Sequence, residues 1–269
     1  MKIRTRTSKV GLCNICGTSG SLTDDHVPPK GSLDVRKVKI RTLSQTLQPP
    51  HPSIHRLLQN GVEFRSLCSD CNNKRLGQRY DPSLNRFSRK VAQILRVRDR
   101  ITLPPRLNVE IQPQLLVRAV VGHLLAAEIR DNMADPPRSA PMLNEMREFF
   151  LDEAKDLSAK LRLYFWPYPA TRQTILRGIG ILSEGYTIVG DFLKYFPVAF
   201  WLTYEVPNMV VQRLVDREVP VHGCSLRDVR IVGISTRQKD TFRPDWPERP
   251  DDKEILVVND GACFVAEEA

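Results

Sequence analysis

Two cysteine pairs, Cys13/Cys16 and Cys68/Cys71, each with a two-residue spacer, stand with 51 residues between them. Four thiolates in two close pairs suit tetrahedral zinc, because the short spacer lets both sulfurs of a pair point into one turn. A closed four-thiolate site leaves no open coordination position, so the expected zinc is structural. Thiol redox chemistry is the weaker reading of a Cys-x-x-Cys, since the βαβ pattern that usually carries it is missing. Behind the first pair comes Asp24-Asp25-His26-Val27-Pro28, and the second pair is followed at once by Asn72-Asn73-Lys74. Cys224 and Cys263 stand alone and read as thiols without a role.

Charge is concentrated around these residues. Residues 1–100 carry 20 Lys and Arg against 7 Asp and Glu, whereas residues 101–269 carry 20 against 24. A local positive field of that size suits a polyphosphate partner, because each phosphate contact releases condensed counterions. No run of eighteen apolar residues occurs, so no membrane span is expected. The opening MKIRTRTSKVGLC is basic but has no apolar h-region, which favours a cytoplasmic setting over secretion.

Taken together, Cys-x2-Cys, Asp-His-Val-x-Pro and Leu-Cys-x2-Cys-Asn-x-Lys, in that order inside the basic segment, resemble the zinc-stapled HNH endonucleases. The resemblance covers about residues 10–82, under a third of the chain. It implies a ββα-metal fold and hydrolysis of phosphodiester bonds with one divalent metal, Mg²⁺ or Mn²⁺, beside the structural Zn²⁺ on Cys13, Cys16, Cys68 and Cys71. On this reading His26 is the general base, since a neutral imidazole is available at pH 7. Asp25 supplies a hard carboxylate oxygen to the metal and Asn72 an amide oxygen. Asn72 is preferred to Asn73 because it lies about 100° round a helix from Cys71, whereas Asn73 lies about 200° away. Asp24 reads as a loop or supporting residue. The family's middle polar residue falls near Glu63; Asn60, His51 and His55 are the other candidates, with Asn60 favoured as a brace. Lys30, Lys74, Arg75 and Arg79 flank the centre and are expected to grip phosphates, with the basic arm (Lys2, Arg4, Arg6, Lys9) as a further contact. DNA is the expected partner, with RNA left open. The competing reading is a non-catalytic zinc-knuckle module that only binds nucleic acid.

The elements that must position these residues are legible in outline. Val35–Leu43 alternates apolar and basic residues as a strand does, 44–53 reads as a loop and Ile54–Leu58 as a short helical turn. Val62–Leu67 fits a second strand, and a helix begins near Ser69 that Gly77 ends or bends. A longer helix follows Asp81-Pro82. Leu103-Pro104-Pro105 is the boundary candidate, dividing the chain into a nuclease domain over 1–102 and an α+β domain over 103–269. The second part reads as helices over Pro113–Ile129 and about Met142–Leu161, separated by a loop at 134–141. Strands at 161–167, 173–182, 185–190, 196–204, 229–236 and 254–265 follow, forming a mainly antiparallel sheet. His123 sits among apolar residues and reads as a core histidine rather than a ligand. The aromatic stretch Phe192–Tyr204 reads as core strands. The role of the second part stays open among target recognition as in a restriction enzyme, binding an activating partner as in an antiphage effector, and homodimerisation.

Overall fold

A computed structural model of the chain describes residues 5–32, 34, 36–47, 55–128, 140–183, 185–237, 244–249, 254–257 and 260–269. It is a mixed α+β protein with mainly antiparallel sheets. The first half contains β1 (Val10–Leu12), β2 (Ser19–His26), β3 (Val38–Thr42), α1 (Leu43–Leu47), β4 (Arg56–Leu58) and β5 (Glu63–Cys68). A π-helix over Asp70–Tyr80 then runs directly into α2 (Asp81–Arg98). After β6 (Arg106–Ile111) come α3 (Pro113–Ala126) and α4 (Ala140–Leu151). The chain continues with β7 (Leu161–Pro167), β8 (Gln173–Ser183), β9 (Tyr186–Tyr195), β10 (Val198–Tyr204), α5 (Asn208–Leu214), β11 (Arg230–Ser235), β12 (Ile255–Val257) and β13 (Cys263–Glu268).

The described residues form three sheets. A small one runs β1-β2-β5, a large one β4-β3-β13-β8-β9-β10-β7 with β12 on β8, and a two-stranded ribbon pairs β11 with β6. The interval between the cysteine pairs therefore builds more than a loop. It contributes β3 and β4, and β3 pairs with β13 from the far end of the chain, Phe264 opposite Thr42. The large sheet thus draws on both sides of the Leu103–Pro105 run.

Several local expectations change. Residues 56–58 are a strand edge rather than a helical turn, because Val38–Ile40 offers them a pairing partner. Leu43–Leu47 is a short helix, with Leu43 fully buried. Gly77 does not end the first helix. The winding there is i→i+5, with Asp81 N donating to Leu76 O. A Cβ on Gly77 would come within 3.3 Å of the Asn72 carbonyl, so the glycine keeps that turn closed tightly. Helix α4 stops at Leu151 rather than near Leu161, and Ala154 N turns back to Asp152 Oδ1. The loop expected at 134–141 lies mostly outside the described residues, as do His51, Lys2 and Arg4.

The core centres on α3. Its residues Leu116–Ala126 are all buried, the pattern of a helix enclosed on every side rather than amphipathic. Pro113 starts it at a position where a missing N–H costs nothing. A Cβ on Gly122 would lie 2.5 Å from Phe150 and 2.6 Å from Leu76, so only glycine lets α3 approach both α4 and the π-helix this closely. Strands β7 and β10 and the second half of β9 are buried almost throughout, and Phe192 and Trp201 stack at 5.0 Å within a second, aromatic cluster. The Phe192–Tyr204 stretch lies in this interior. Among the described residues no helix is long and apolar enough to cross a membrane.

Candidate active site

The four cysteines come together. Their sulfurs all lie within 4.8 Å of one another, with Cys13 and Cys71 buried, and Cys16 Sγ is 3.7 Å from Cys68 Sγ. Zinc–sulfur bonds of about 2.3 Å place tetrahedral sulfurs about 3.8 Å apart, so the group could hold a metal ion such as zinc. Local structure explains the convergence. Cys13 follows β1, and a turn through Gly17 (φ 73°) returns the chain so that Gly17 N bonds Cys13 O at 2.9 Å. Cys68 ends β5, and Cys71 lies in the first turn of the helix. The hydrogen bond from Cys71 is the main cause that draws the Cys13 thiol down to about 4, and the same bond, with burial, pushes Cys71 far up. Among the described residues, this is the one group of three or more Cys, His, Asp or Glu side chains gathered closely enough to hold a metal.

The knuckle also seats α3. Asn14, between the first two cysteines, donates through Nδ2 to Leu125 O at 3.0 Å and to Glu128 O. Ser66 Oγ donates to Ala126 O at 2.6 Å. These bonds satisfy carbonyls that the end of a helix leaves without intrahelical partners. Ser66 is free to do so because the β2–β5 register shifts there: Thr23 pairs with Leu67 and Asp24 with Arg65, so Ser66 is the extra residue of a bulge.

Asp25 and His26 end β2 and address different surroundings, as alternate strand residues do. His26 lies opposite Glu63 in the ladder, with its side chain 13% exposed. Its Nε2 is 3.0 Å from Asn60 O and 2.9 Å from Glu63 Oε1. Both partners are acceptors, so Nε2 carries the proton and Nδ1 is left as the basic nitrogen. Burial lowers the His26 pKa, although Glu63 opposes that shift. The imidazole is thus neutral at pH 7. Asn60 and Glu63 both touch it, one through its backbone and the other through its side chain. His55 is exposed.

Asp25 is 6% exposed. Its Oδ2 accepts from His123 Nδ1 at 3.1 Å, and His123 Nε2 donates to Asp81 Oδ1 at 2.9 Å. His123 is fully buried. Burial opposes its charge, but the carboxylates of Asp81 and Asp25 outweigh that and lift it to about 10. Burial raises Asp25 in turn, with His123 holding it back. Sequence reasoning placed His123 in the core, where it is, but missed its bridging of two carboxylates. The available signal was chemical: an imidazole buried among Val and Leu still needs two polar partners. Asp81, read only as a helix start, is one of them.

Asn72 is buried beside this group. Its Nδ2 donates to Thr23 Oγ1 at 2.9 Å and to Asp24 O at 3.1 Å, tying the helix to β2 one residue before Asp25. Asn73 is exposed and bonds Ser69 Oγ instead. Asp24 is ion-paired with Arg65 at 2.8 Å and with Arg6 at 3.3 Å. The flanking cations differ in freedom. Lys30 is exposed and near enough to His26 to help lower its pKa. Lys74 pairs with Asp70 at 3.0 Å. Arg75 donates to Leu151 O at 2.7 Å, and Arg79 pairs with Glu153. The last two fasten the helix to the end of α4.

No family model, no curated protein and no solved structure matches this chain.

Proposed function

We propose that the chain is a metal-dependent endonuclease of the HNH type, with Asp25, His26 and Asn72 as its hydrolytic centre. The observation that carries this reading is the state of His26. A neutral imidazole at the end of a strand, its Nε2–H fixed by Asn60 and Glu63, presents Nδ1 as a base. Asp25 is His26's neighbour in the same strand, and Asn72, on the helix that begins at the four-cysteine cluster, bonds the Asp24 carbonyl one residue before Asp25, which supports placing both beside His26. The donors fit a hard divalent cation. Asp25 retains Oδ1 when Oδ2 is bonded to His123, and Asn72 retains its amide oxygen when Nδ2 is bonded to β2. Bound there, Mg²⁺ or Mn²⁺ would neutralise charge on the phosphate and assist departure of the 3′ oxygen.

The chain's own residues have separate tasks. His26 Nδ1 takes a proton from the attacking water, while Glu63 and Asn60 keep the ring oriented and compensate the charge it gains. His123 fixes the rotamer of Asp25 from behind. Asn72 sets the distance between the helix and β2. Lys30 and Lys74 lie on the exposed side and contact the phosphate backbone, and DNA is the proposed substrate. The zinc on Cys13, Cys16, Cys68 and Cys71 is structural, pinning β1, β5 and the helix start together.

A second reading, a module that binds nucleic acid without cleaving it, is favoured by one observation: Asp25 already has a charged partner in His123. Supercoiled plasmid incubated with the protein in Mg²⁺ or Mn²⁺, wild type beside Asp25→Asn, separates the two. Product that requires the metal and vanishes in the variant supports the nuclease. A wild type that shifts DNA in a gel yet leaves it intact in both metals supports the binder.

A further inference from the structure

Beyond the far end of α2 lies an open cleft of about 470 Å³, lined by Arg98, Arg100, Thr102, Thr236 and Arg237 with an apolar wall that includes Ile101 and Leu103. It is remote from the candidate active site. Asp81, which touches His123, begins α2 and Arg98 ends it; 17 residues at about 1.5 Å each make roughly 25 Å. We propose that this cleft is a second binding site, for a phosphorylated nucleotide, and it stands independently of the nuclease reading.

The lining chemistry selects the ligand. Three guanidinium groups line one cleft, and no carboxylate does so among the described residues. Arg98 is the most enclosed. Its side chain is 16% exposed, its Nε lies 3.6 Å from Asp99 Oδ1, and its Nη1 is buried without a hydrogen-bond partner among the described residues. Because that nitrogen is enclosed, Arg98 acts on the cleft through its positive charge rather than by direct contact at Nη1. Arg100 and Arg237 are exposed on its rim and free to close on a phosphate. The wall behind them is fixed rather than loose. Thr236 Oγ1 donates to Pro104 O at 2.6 Å and Thr236 N to Pro105 O at 3.1 Å, tying the end of β11 to the segment after α2.

One effect opposes an anion here, the negative end of the α2 dipole. It is worth about 0.3–1 kcal/mol at an exposed helix end. Val97 O already accepts from Arg100 N at 2.9 Å and Ile101 N at 3.0 Å, which reduces it further. Three arginines outweigh that. The apolar wall beside them suits a nucleobase, and the volume lies within the range of small-ligand sites. The same chemistry could come as a free nucleotide or as one unit of a nucleic acid strand. Arg86, Arg89, Lys90 and Arg96 are exposed along α2 and would give a strand a basic path to the cleft.

The test uses full-length protein and the double variant Arg100→Gln/Arg237→Gln, whose side chains are exposed and should leave folding intact. Binding of ATP is measured by calorimetry, and binding of a 20-nucleotide single-stranded DNA is measured over a range of salt. If the cleft takes free nucleotide, ATP binds the wild type and the variant loses at least about tenfold in affinity. If it takes a strand, ATP is ignored, DNA binding weakens, and the slope of log K against log salt becomes shallower by about 1.4, at about 0.7 per single-strand phosphate contact. Unchanged ATP and DNA binding in the variant overturns the proposal. None of these readouts involves cleavage, so they are separable from failure of the nuclease centre.

Discussion

Replacing His123 with leucine would leave Asp25 and Asp81 buried with no positive partner between them. The magnitude follows from the structure in two ways. An imidazole lifted from about 6.5 in the unfolded chain to about 10 in the folded one represents roughly 5 kcal/mol. The raised carboxyl of Asp25 takes part of that back. Breaking a buried ion pair by removing one partner costs about 3–5 kcal/mol. Urea denaturation at pH 7 should therefore show His123→Leu less stable than wild type by about 3–5 kcal/mol, a large share of the 5–15 kcal/mol typical of a domain. The sign with pH is fixed as well. A group whose pKa is raised on folding gives its stability in full below about pH 6.5 and loses it as pH rises through about 10. The gap between wild type and variant should narrow from pH 7 to pH 10 by up to about 1.4 kcal/mol per unit. Asp81→Asn, which keeps the bond to Asp25 in place, should cost less and narrow the gap at lower pH. A gap below about 1 kcal/mol at pH 7, or one that widens towards pH 10, would show that His123 is not held as a buried cation.

Other parts of the account are as exposed to test. Purified protein should carry about one equivalent of zinc, and its removal by a strong chelator should lower the melting temperature by more than about 10 °C, because the binding free energy of such sites is largely folding free energy; an unchanged melting curve would mean the cysteines hold no structural ion. The acidic limb of the cleavage rate should lie below the usual imidazole value of about 6.5, since burial lowers His26. Glu63→Gln should move that limb to still lower pH, as the lost carboxylate is a group that raises the His26 pKa; a limb that moves upward contradicts the assignment. Gly122→Ala should destabilise by about 1–3 kcal/mol in the same urea assay, because its methyl group would meet Phe150 and Leu76.

Contiguous features of the sequence translated well into structure. Cysteine spacing announced a cluster that the structure gathers within 4.8 Å, and the runs of Phe, Val and Ile in the second half announced buried antiparallel strands. Long-range pairings were not legible. Nothing in Val38–Thr42 says that its neighbour will be Phe264, or that Asn14 will cap a helix ending at Ala126. Arg56–Leu58 was misread because an edge strand of three residues has no period of its own and takes its form from its partner. Gly77 does not end the helix, and its close packing against Asn72 O is a use that its position in the sequence does not show. His123 shows the same limit at the candidate site. Its apolar neighbours fix its burial, while its partners lie 98 and 42 residues away.

The most direct measurement is nicking of supercoiled plasmid over time, in Mg²⁺ and in Mn²⁺, with His26→Ala beside the wild type and DNA binding measured for both. A general base contributes about 10²–10⁴ in rate, so the account predicts nicked or linear product from the wild type, at least about a hundredfold less from the variant, and unchanged DNA affinity. Equal cleavage by the two proteins would contradict it, because the imidazole held by Asn60 and Glu63 would then have no part in the chemistry.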